Sequence, residues 1–177
     1  MGSLVNVNND DSAGIKKRIL MANNVFYGLK RQFMSQFFPI KNKIKLHKTL
    51  IRPVLACGSG TWVLSKSDEA ILGVFERKIL RAIFGPTNDN GVWRIKYNNE
   101  LYILYKESDM VTYIKINRLK WAGHVIGVEE QSATRRVLVA AVEGRRQRGR
   151  QKLRWEDGVT EGARRLGERN WEECCKE

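Results

Sequence analysis

Apolar residues recur at helical spacing through the first half of the chain, and this pattern constrains the fold more than any other feature. From Ala13 to Phe37 they fall three or four positions apart, with most lysines and arginines off the apolar stripe. This spacing predicts one long amphipathic helix. We expect Pro39 to end it, because proline lacks a backbone N–H and disfavours helix in the residue before it. The apolar stripe consists of Ile15, Ile19, Ala22, Val25, Phe26, Leu29 and Phe33.

Two further helices follow. Residues 41–57 predict a second helix, kinked rather than ended by Pro53. The third should begin at Ser67 as its N-cap and stop at Gly85-Pro86. Three helices with short connections predict an antiparallel helical bundle. On the third helix one face should be apolar and the other polar. The apolar face holds Ile71, Val74, Phe75, Ile79, Ala82 and Ile83, and the polar face holds Glu76, Arg77, Lys78 and Arg81.

The second half also reads as helical. A turn at residues 88–91 separates the halves, and helices are predicted after Asn98, from Asp109 to Gly127, over 132–142 and over 153–166. On the helix from Asp109 the predicted apolar face comprises Met110, Ile114, Asn117, Trp121 and Val125. Lys115 and Arg118 lie away from that face and are candidate phosphate contacts, although an ordinary solvated face explains them equally well.

We therefore expect an all-α chain in two parts. Residues 1–12 read as a residual strand and turn, residues 13–86 as the helical bundle, and residues 87–177 as a smaller basic helical region with a basic loop at 144–154. A length of 177 residues allows one domain or two small helical ones.

Charge and cysteine usage narrow the classes of function. The chain has 32 lysines and arginines against 19 acidic residues, a net charge of +13, which favours anionic partners. No apolar run is long enough to cross a bilayer, and the first residues do not resemble a secretion signal, so we expect an intracellular protein, nuclear or cytoplasmic, without a membrane partner. Cys57, Cys174 and Cys175 form no disulfide framework, and His47 and His124 show no metal-ligand spacing.

The most basic stretch, residues 144–154, is named here the basic segment. From Arg145 to Arg154 it carries six positive charges and no negative one. The mutual repulsion of these charges is relieved by a nearby polyanion or by full solvation, and nucleic acid is the obvious polyanion. A glycine between two arginines also allows the backbone to approach a narrow, negative groove. The candidate nucleic-acid-binding residues are Arg145, Arg146, Arg148, Gly149, Arg150, Lys152 and Arg154; the alternative is a solvated linker between helices.

Several blocks together resemble a known family. Residues 48–55 (KTLIRPVL) with Gly58-Ser59 and Thr61-Trp62, then residues 74–81 (VFERKILR) and 83–86 (IFGP), are similar to the segment after the catalytic palm in reverse transcriptases of non-LTR retrotransposons of the insect type. Residues 118–125 (RLKWAGHV) and 144–157 resemble the C-terminal tail of the same endonuclease-reverse transcriptases. This chain departs from the family pattern at Gly60, Gly127 and Gln151, where Glu, Arg and Pro are expected.

The resemblance implies a helical thumb that packs against template and primer, followed by a basic tail that holds RNA or DNA. It also implies that residues 1–12 are the end of a missing palm. The parent polymerase would need Mg²⁺ held by palm carboxylates, but the palm motif of two neighbouring aspartates after an aromatic is missing here. We therefore expect no catalytic residue, no metal site and no cofactor in this chain, and no enzyme activity of its own. A palm supplied by another chain is a further possible partner.

Two hypotheses remain open. The first is a nucleic-acid-binding thumb and C-terminal fragment of a retrotransposon reverse transcriptase. The alternative is a helical protein-interaction module from a degenerate copy, in which apolar positions such as Phe37, Phe38 and Trp62 meet a protein partner.

Overall fold

The structure, a computed structural model, describes residues 11–140 and 154–165. Within that part of the chain the fold is all-α, as predicted, with one short β-hairpin formed by β1 (Thr87–Asp89) and β2 (Val92–Arg94). A π-helical turn spans His47–Ile51 and a 3₁₀ turn spans Ser59–Thr61. The α-helices are α1 (Ser12–Gly28), α2 (Lys30–Met34), α3 (Ile40–Leu46), α4 (Arg52–Ala56), α5 (Lys66–Phe84), α6 (Asn98–Tyr105), α7 (Met110–Ile126), α8 (Ala133–Val139) and α9 (Trp155–Arg165).

The chain forms two compact units. The first, the bundle unit, comprises Met1–Cys57 and Leu64–Tyr113, and the second, the C-terminal unit, comprises Gly58–Val63 and Ile114–Glu177. The boundary that we expected near residue 86 does not coincide with this division, because the hairpin and α6 group with the bundle. The short segment Gly58–Val63 groups with residues that follow it by more than fifty positions.

The predicted first helix is divided in two. α1 ends at Gly28, and α2 begins at Lys30 after one intervening residue, Leu29. Glycine is a poor helix former, costing about 1 kcal/mol relative to alanine, which favours an interruption at this point. The break still allows Phe26 and Phe33, both buried, to pack with ring centroids 5.6 Å apart. Pro39 stands as the N-cap of α3, so no helix continues through it.

The second helix passes through Pro53, as predicted, and the structure shows how. The π-helical turn His47–Ile51 lies between α3 and α4, immediately before the proline. A proline inside an α-helix cannot donate to the carbonyl four residues earlier, and its ring clashes with that carbonyl. The wider π turn makes room at Thr49 and allows the helix to continue.

α5 is closed at both ends by local interactions. Its N-cap is Ser65 rather than the predicted Ser67: the Ser65 Oγ accepts a hydrogen bond from the Asp68 N–H at 3.2 Å, and the Asp68 carboxylate accepts one from the Ser65 N–H at 3.0 Å. This reciprocal pair is a capping box. The helix ends at the predicted Gly85, whose φ is +66° and ψ is −174°.

Substitution of Gly85 by alanine tests this helix stop. Because a side chain is strained at a positive φ with an extended ψ, we expect Gly85→Ala to lower the free energy of unfolding by about 1–3 kcal/mol. Gly14→Ala is the matched control: Gly14 lies inside α1 with open space around its Cα, so alanine there should stabilise by about 0.5–1 kcal/mol. Urea unfolding measures both values. Equal effects of the same sign would contradict the assigned Gly85 conformation.

Helices α1 and α5 lie side by side in the bundle unit and run in the same direction. The Ser12 hydroxyl donates to Asp68 at 3.1 Å, and the Lys78 ammonium donates to Asn23 at 2.9 Å. The bonded residues are 56 positions apart in the first pair and 55 in the second, as expected for two helices that run in the same direction. First and third helices of an up-down-up bundle have this relation. The α5 face toward the core is Leu72, Phe75, Glu76, Ile79, Leu80 and Ile83.

Glu76 belongs to a buried polar cluster, which corrects its predicted place on the polar face. Its carboxylate is 1% exposed and accepts hydrogen bonds from the Met110 N–H at 2.9 Å and from the Tyr102 hydroxyl at 3.3 Å. Burial raises the pKa of Glu76. This acceptor fixes the first residue of α7, which offers an otherwise unpaired N–H.

Arg52 and His47 occupy the same interior. Arg52 is 5% exposed, donates to the Ser108 carbonyl and lies 4.2 Å from the centroid of the Tyr113 ring. His47 is 2% exposed, and its Nδ1 is 3.3 Å from the Tyr105 hydroxyl. Burial, with a smaller effect of the Arg52 charge, lowers the pKa of His47 to about 4, so the imidazole is neutral at physiological pH.

Candidate nucleic-acid interface

The C-terminal unit is built around α7. Its buried positions are Ile114, Arg118, Ala122, Val125 and Ile126. α9 packs Val159 and Ala163 against Ala122 and Ile126, with Leu119 and Trp155 beside them. The apolar face that we predicted through Asn117 and Trp121 is wrong in this half of the helix, since Trp121 is 40% exposed. The buried stripe runs through Arg118 and Ala122, each one residue after the predicted Asn117 and Trp121.

The segment Gly58–Val63 lies against α7 and α9. The Trp155 indole donates to the Gly60 carbonyl at 2.7 Å. A Cβ built on Gly60 would lie 3.1 Å from the Trp121 Cβ and 3.3 Å from its Cγ, closer than nearly all real contacts. Glycine, and not the Glu expected from the family resemblance, therefore fits this close approach.

Arg118 is part of the interior and not of the surface. It is 4% exposed, and its guanidinium donates to the Trp62 carbonyl at 3.3 Å and to the Gly158 carbonyl at 2.9 Å. The prediction that Arg118 lies on a polar flank is wrong, because its position shares the i, i+4 stripe of Ile114 and Ala122 and its charge is satisfied by two carbonyls. Trp62 is also buried, at 4% exposed, which removes it from the apolar surface of the interaction hypothesis.

The remaining predicted residues divide into two groups. Lys115 is half-buried on α7, and Arg154 is exposed directly before α9. The Arg154 N–H donates to the Asp157 carboxylate at 3.1 Å, which caps the start of α9. The predicted residues Arg145, Arg146, Arg148, Gly149, Arg150 and Lys152 lie outside the described residues.

Described residues lie on both sides of the basic segment in the sequence. Before it, Arg135 of α8 donates to the Val128 carbonyl at 2.8 Å and to Glu130 at 3.2 Å. After it, α9 is fixed by the Trp155 and Arg118 hydrogen bonds described above. In sequence, the run of positive charge from Arg145 to Arg154 therefore follows α8 and ends at the start of α9.

A cleft beside α8 was missed in the sequence analysis. It has a volume of about 440 Å³ and is lined by Glu130, Arg135, Arg136 and Ala140. The adjacent arginines Arg135 and Arg136 could have indicated it, because they extend the positive charge of the basic segment upstream. Arg164 and Arg165 of α9 both pair with Glu161, at 3.7 and 3.0 Å, as Arg135 does with Glu130.

A second basic region lies in the bundle unit. Residues 12–67 contain eleven lysines and arginines and no aspartate or glutamate. The absence of acids over this range was not predicted, because the sequence was interpreted one helix at a time. The eleven are Lys16, Lys17, Arg18, Lys30, Arg31, Lys41, Lys43, Lys45, Lys48, Arg52 and Lys66. Several of them, among them Lys30 and Arg31, are exposed, whereas Lys48 pairs with Glu107 at 2.6 Å, so only part of this positive charge faces solvent unpaired.

Two structural searches bear on other functions. In residues 11–140 and 154–165, no three His, Cys, Asp or Glu side chains lie close enough to hold a metal ion. None of the helices in the same part of the chain combines the length and the apolar character needed to cross a membrane.

Comparison with known proteins points to a mobile genetic element. No protein-family model matches the chain, and no solved structure matches it. It is 24% identical over 125 residues to an uncharacterized, transposon-derived protein of Caenorhabditis elegans. The match covers 71% of this chain and 44% of that protein, so the chain spans less than half the length of this relative. The similarity supports an origin in a transposon.

Proposed function

We propose that this chain is a nucleic-acid-binding portion of a retrotransposon reverse transcriptase, corresponding to the thumb and the region after it, and that it grips a phosphate backbone for a catalytic centre located elsewhere. The observation that carries the proposal is the basic segment, whose six positive charges from Arg145 to Arg154 have no acid among them. Its RNA or DNA partner is contacted through phosphates, which contribute affinity without reading sequence.

Three features support this role. The C-terminal unit holds α9, directly after the basic segment, through Trp155 and Arg118, so the end of the segment is fixed to a packed core. Arg154 is exposed where the segment meets α9. The relative in C. elegans is transposon-derived, which agrees with the resemblance of the sequence to retrotransposon reverse transcriptases.

The dependence of affinity on salt tests the proposal. If all six cations meet phosphates of duplex DNA, the slope of log affinity against log salt is about −5, and affinity falls roughly a thousandfold between 50 and 200 mM salt. Removing two contacts with Arg148→Gln and Arg150→Gln should make the slope shallower by about 2. Fluorescence anisotropy with a labelled duplex and with the matching RNA measures both slopes.

The matched control removes two arginines that are already paired. Arg164→Gln with Arg165→Gln changes the net charge by the same amount, but both guanidiniums pair with Glu161 within α9. We expect this variant to keep a slope close to that of the unmodified protein. A slope near zero for the unmodified protein, or no binding at 50 mM salt, would rule out the proposed function. An unchanged slope in the Arg148 and Arg150 variant would reduce the basic segment to a linker.

The alternative, a protein-interaction module, is favoured by one observation. Phe37, in the loop between α2 and α3, is 99% exposed, and Met34 and Ile40 beside it are 61% and 50% exposed. Exposed apolar side chains that are neighbours in a monomer mark interaction sites. Sedimentation of the protein after nuclease treatment separates the two functions: association that persists without nucleic acid and is abolished by Phe37→Asp would favour the module.

A further inference from the structure

Tyr27, Lys30 and Lys78 form an aromatic and cationic patch on the surface of the bundle unit. Tyr27, near the end of α1, is 55% exposed. The Lys78 ammonium, from the neighbouring α5, lies 4.7 Å from the centroid of the Tyr27 ring and donates to its hydroxyl at 3.1 Å. The Lys30 ammonium lies 6.0 Å from the same centroid. Two helices and the start of a third therefore bring two cations over one exposed ring.

The patch keeps its positive charge. Within the described part of the chain neither Lys30 nor Lys78 forms an ion pair with a carboxylate, and the partners of Lys78 are the neutral Asn23 and Tyr27. The Lys78 hydrogen bond, the Lys78 charge and the Lys30 charge all lower the pKa of Tyr27, which is the response of a phenol to a positive environment. Tyr97 offers a contrast: Arg94 lies 4.5 Å from its ring but is paired with both Asp89 and Glu100.

We infer that this patch is a binding site for single-stranded nucleic acid, in which an unpaired base stacks on the Tyr27 ring while Lys30 and Lys78 contact the flanking phosphates. An exposed aromatic ring between unpaired cations is how proteins hold single strands, because every base has a face that can stack. A base within a duplex is already stacked on its neighbours, so the site discriminates against double strands. The inference rests on the proposed function and adds to it a second contact, on a different unit from the basic segment.

Binding of a labelled oligothymidylate of about ten nucleotides to the full chain tests the site. We expect Tyr27→Ala to weaken binding between about five- and a hundredfold, with little change in the salt slope, because stacking involves no counterion release. Tyr27→Phe keeps the ring and should bind within about twofold of the unmodified protein. Lys78→Gln should make the single-strand slope shallower by about 0.7. Affinity for a blunt duplex should not respond to Tyr27→Ala.

Two controls separate this site from general effects. Tyr27→Leu keeps apolar bulk without a ring, and far-UV circular dichroism of it and of Tyr27→Ala verifies the fold; both should lose single-strand affinity. Tyr97→Ala removes an exposed ring, 67% against 55% for Tyr27, beside a neutralised cation and should leave affinity unchanged. If the unmodified protein binds the oligonucleotide but Tyr27→Ala and Tyr27→Leu bind it equally well, or if Tyr97→Ala costs as much, the inference is overturned while the proposed function stands. Absence of any nucleic-acid binding at 50 mM salt overturns both.

Discussion

Replacement of Arg118 by alanine is expected to lower the free energy of unfolding by about 3–5 kcal/mol while leaving the salt slope of nucleic-acid binding unchanged. The loss follows from burial: alanine leaves the carbonyls of Trp62 and Gly158 without the guanidinium and opens a cavity beneath α9. Because the side chain is 4% exposed, it has no phosphate contact to lose. Urea unfolding monitored by tryptophan fluorescence measures the free energy of unfolding. Fluorescence anisotropy of labelled nucleic acid, under conditions where both proteins are folded, measures the salt slope.

The control for Arg118 is an exposed lysine on the same helix. Lys120→Ala removes the same charge from α7 at a solvent-exposed position, where substitutions usually change stability by less than about 0.5 kcal/mol. A stable Arg118→Ala protein with a shallower salt slope would place the guanidinium at the nucleic acid and would contradict the buried position described here.

The protonation of His47 alone is expected to lower the free energy of unfolding by about 3 kcal/mol as the pH is lowered from 6.5 to about 4. The folded state holds this imidazole neutral, with its pKa lowered from 6.5 to about 4 by burial first and by the Arg52 charge second. In the unfolded chain the same group gains a proton below pH 6.5. The unfolded state therefore binds more protons in this window, so acid favours it. The contribution is fully present above pH 6.5.

His47→Gln isolates this effect. The variant loses the ring contact with Tyr105 and is expected to be less stable near pH 7.5, but its stability should depend less on pH between 6.5 and 4. Glu76 acts in the opposite direction, because its pKa is raised and the folded state binds its proton more readily, so Glu76→Gln should steepen the acid loss. Urea unfolding at a series of pH values measures the free energy of unfolding of the unmodified protein, His47→Gln and Glu76→Gln. Parallel profiles for His47→Gln and the unmodified protein would contradict a neutral, buried His47.

Local sequence signals predicted most of the helices but not their interior polar contacts. The stop at Gly85-Pro86 and the passage of the helix through Pro53 follow from residues close in sequence, and both are observed. The capping serine was misplaced by two residues because Ser65 and Ser67 both precede the acids of α5. Only Ser65 has the spacing that lets Asp68 return a hydrogen bond to its N–H.

The candidate site was predicted less well, for a different reason. Glu76 and Arg118 carry charges, so a hydrophobic pattern assigns them to the surface. Each is buried and bonds to backbone groups distant in sequence: Glu76 accepts from the Met110 N–H, and Arg118 donates to the Trp62 and Gly158 carbonyls. These partners lie more than thirty positions away in sequence, so a pattern of neighbouring residues does not reveal them. The exposed Tyr27 was likewise absent from the prediction, since Lys78 reaches it from a helix that begins almost forty residues later.

The membership of Gly58–Val63 in the C-terminal unit bears on how this protein is to be dissected. A fragment that starts at residue 114 would lack the Gly60 and Trp62 carbonyls. The Trp155 indole would lose its acceptor, and the Arg118 guanidinium would keep the Gly158 carbonyl but lose that of Trp62. Its failure to bind would reflect misfolding and not the loss of a binding residue. Deletion mapping from the N-terminal side therefore yields interpretable pieces only when the cut lies before Gly58, or when residues 58–63 are grafted back by a linker.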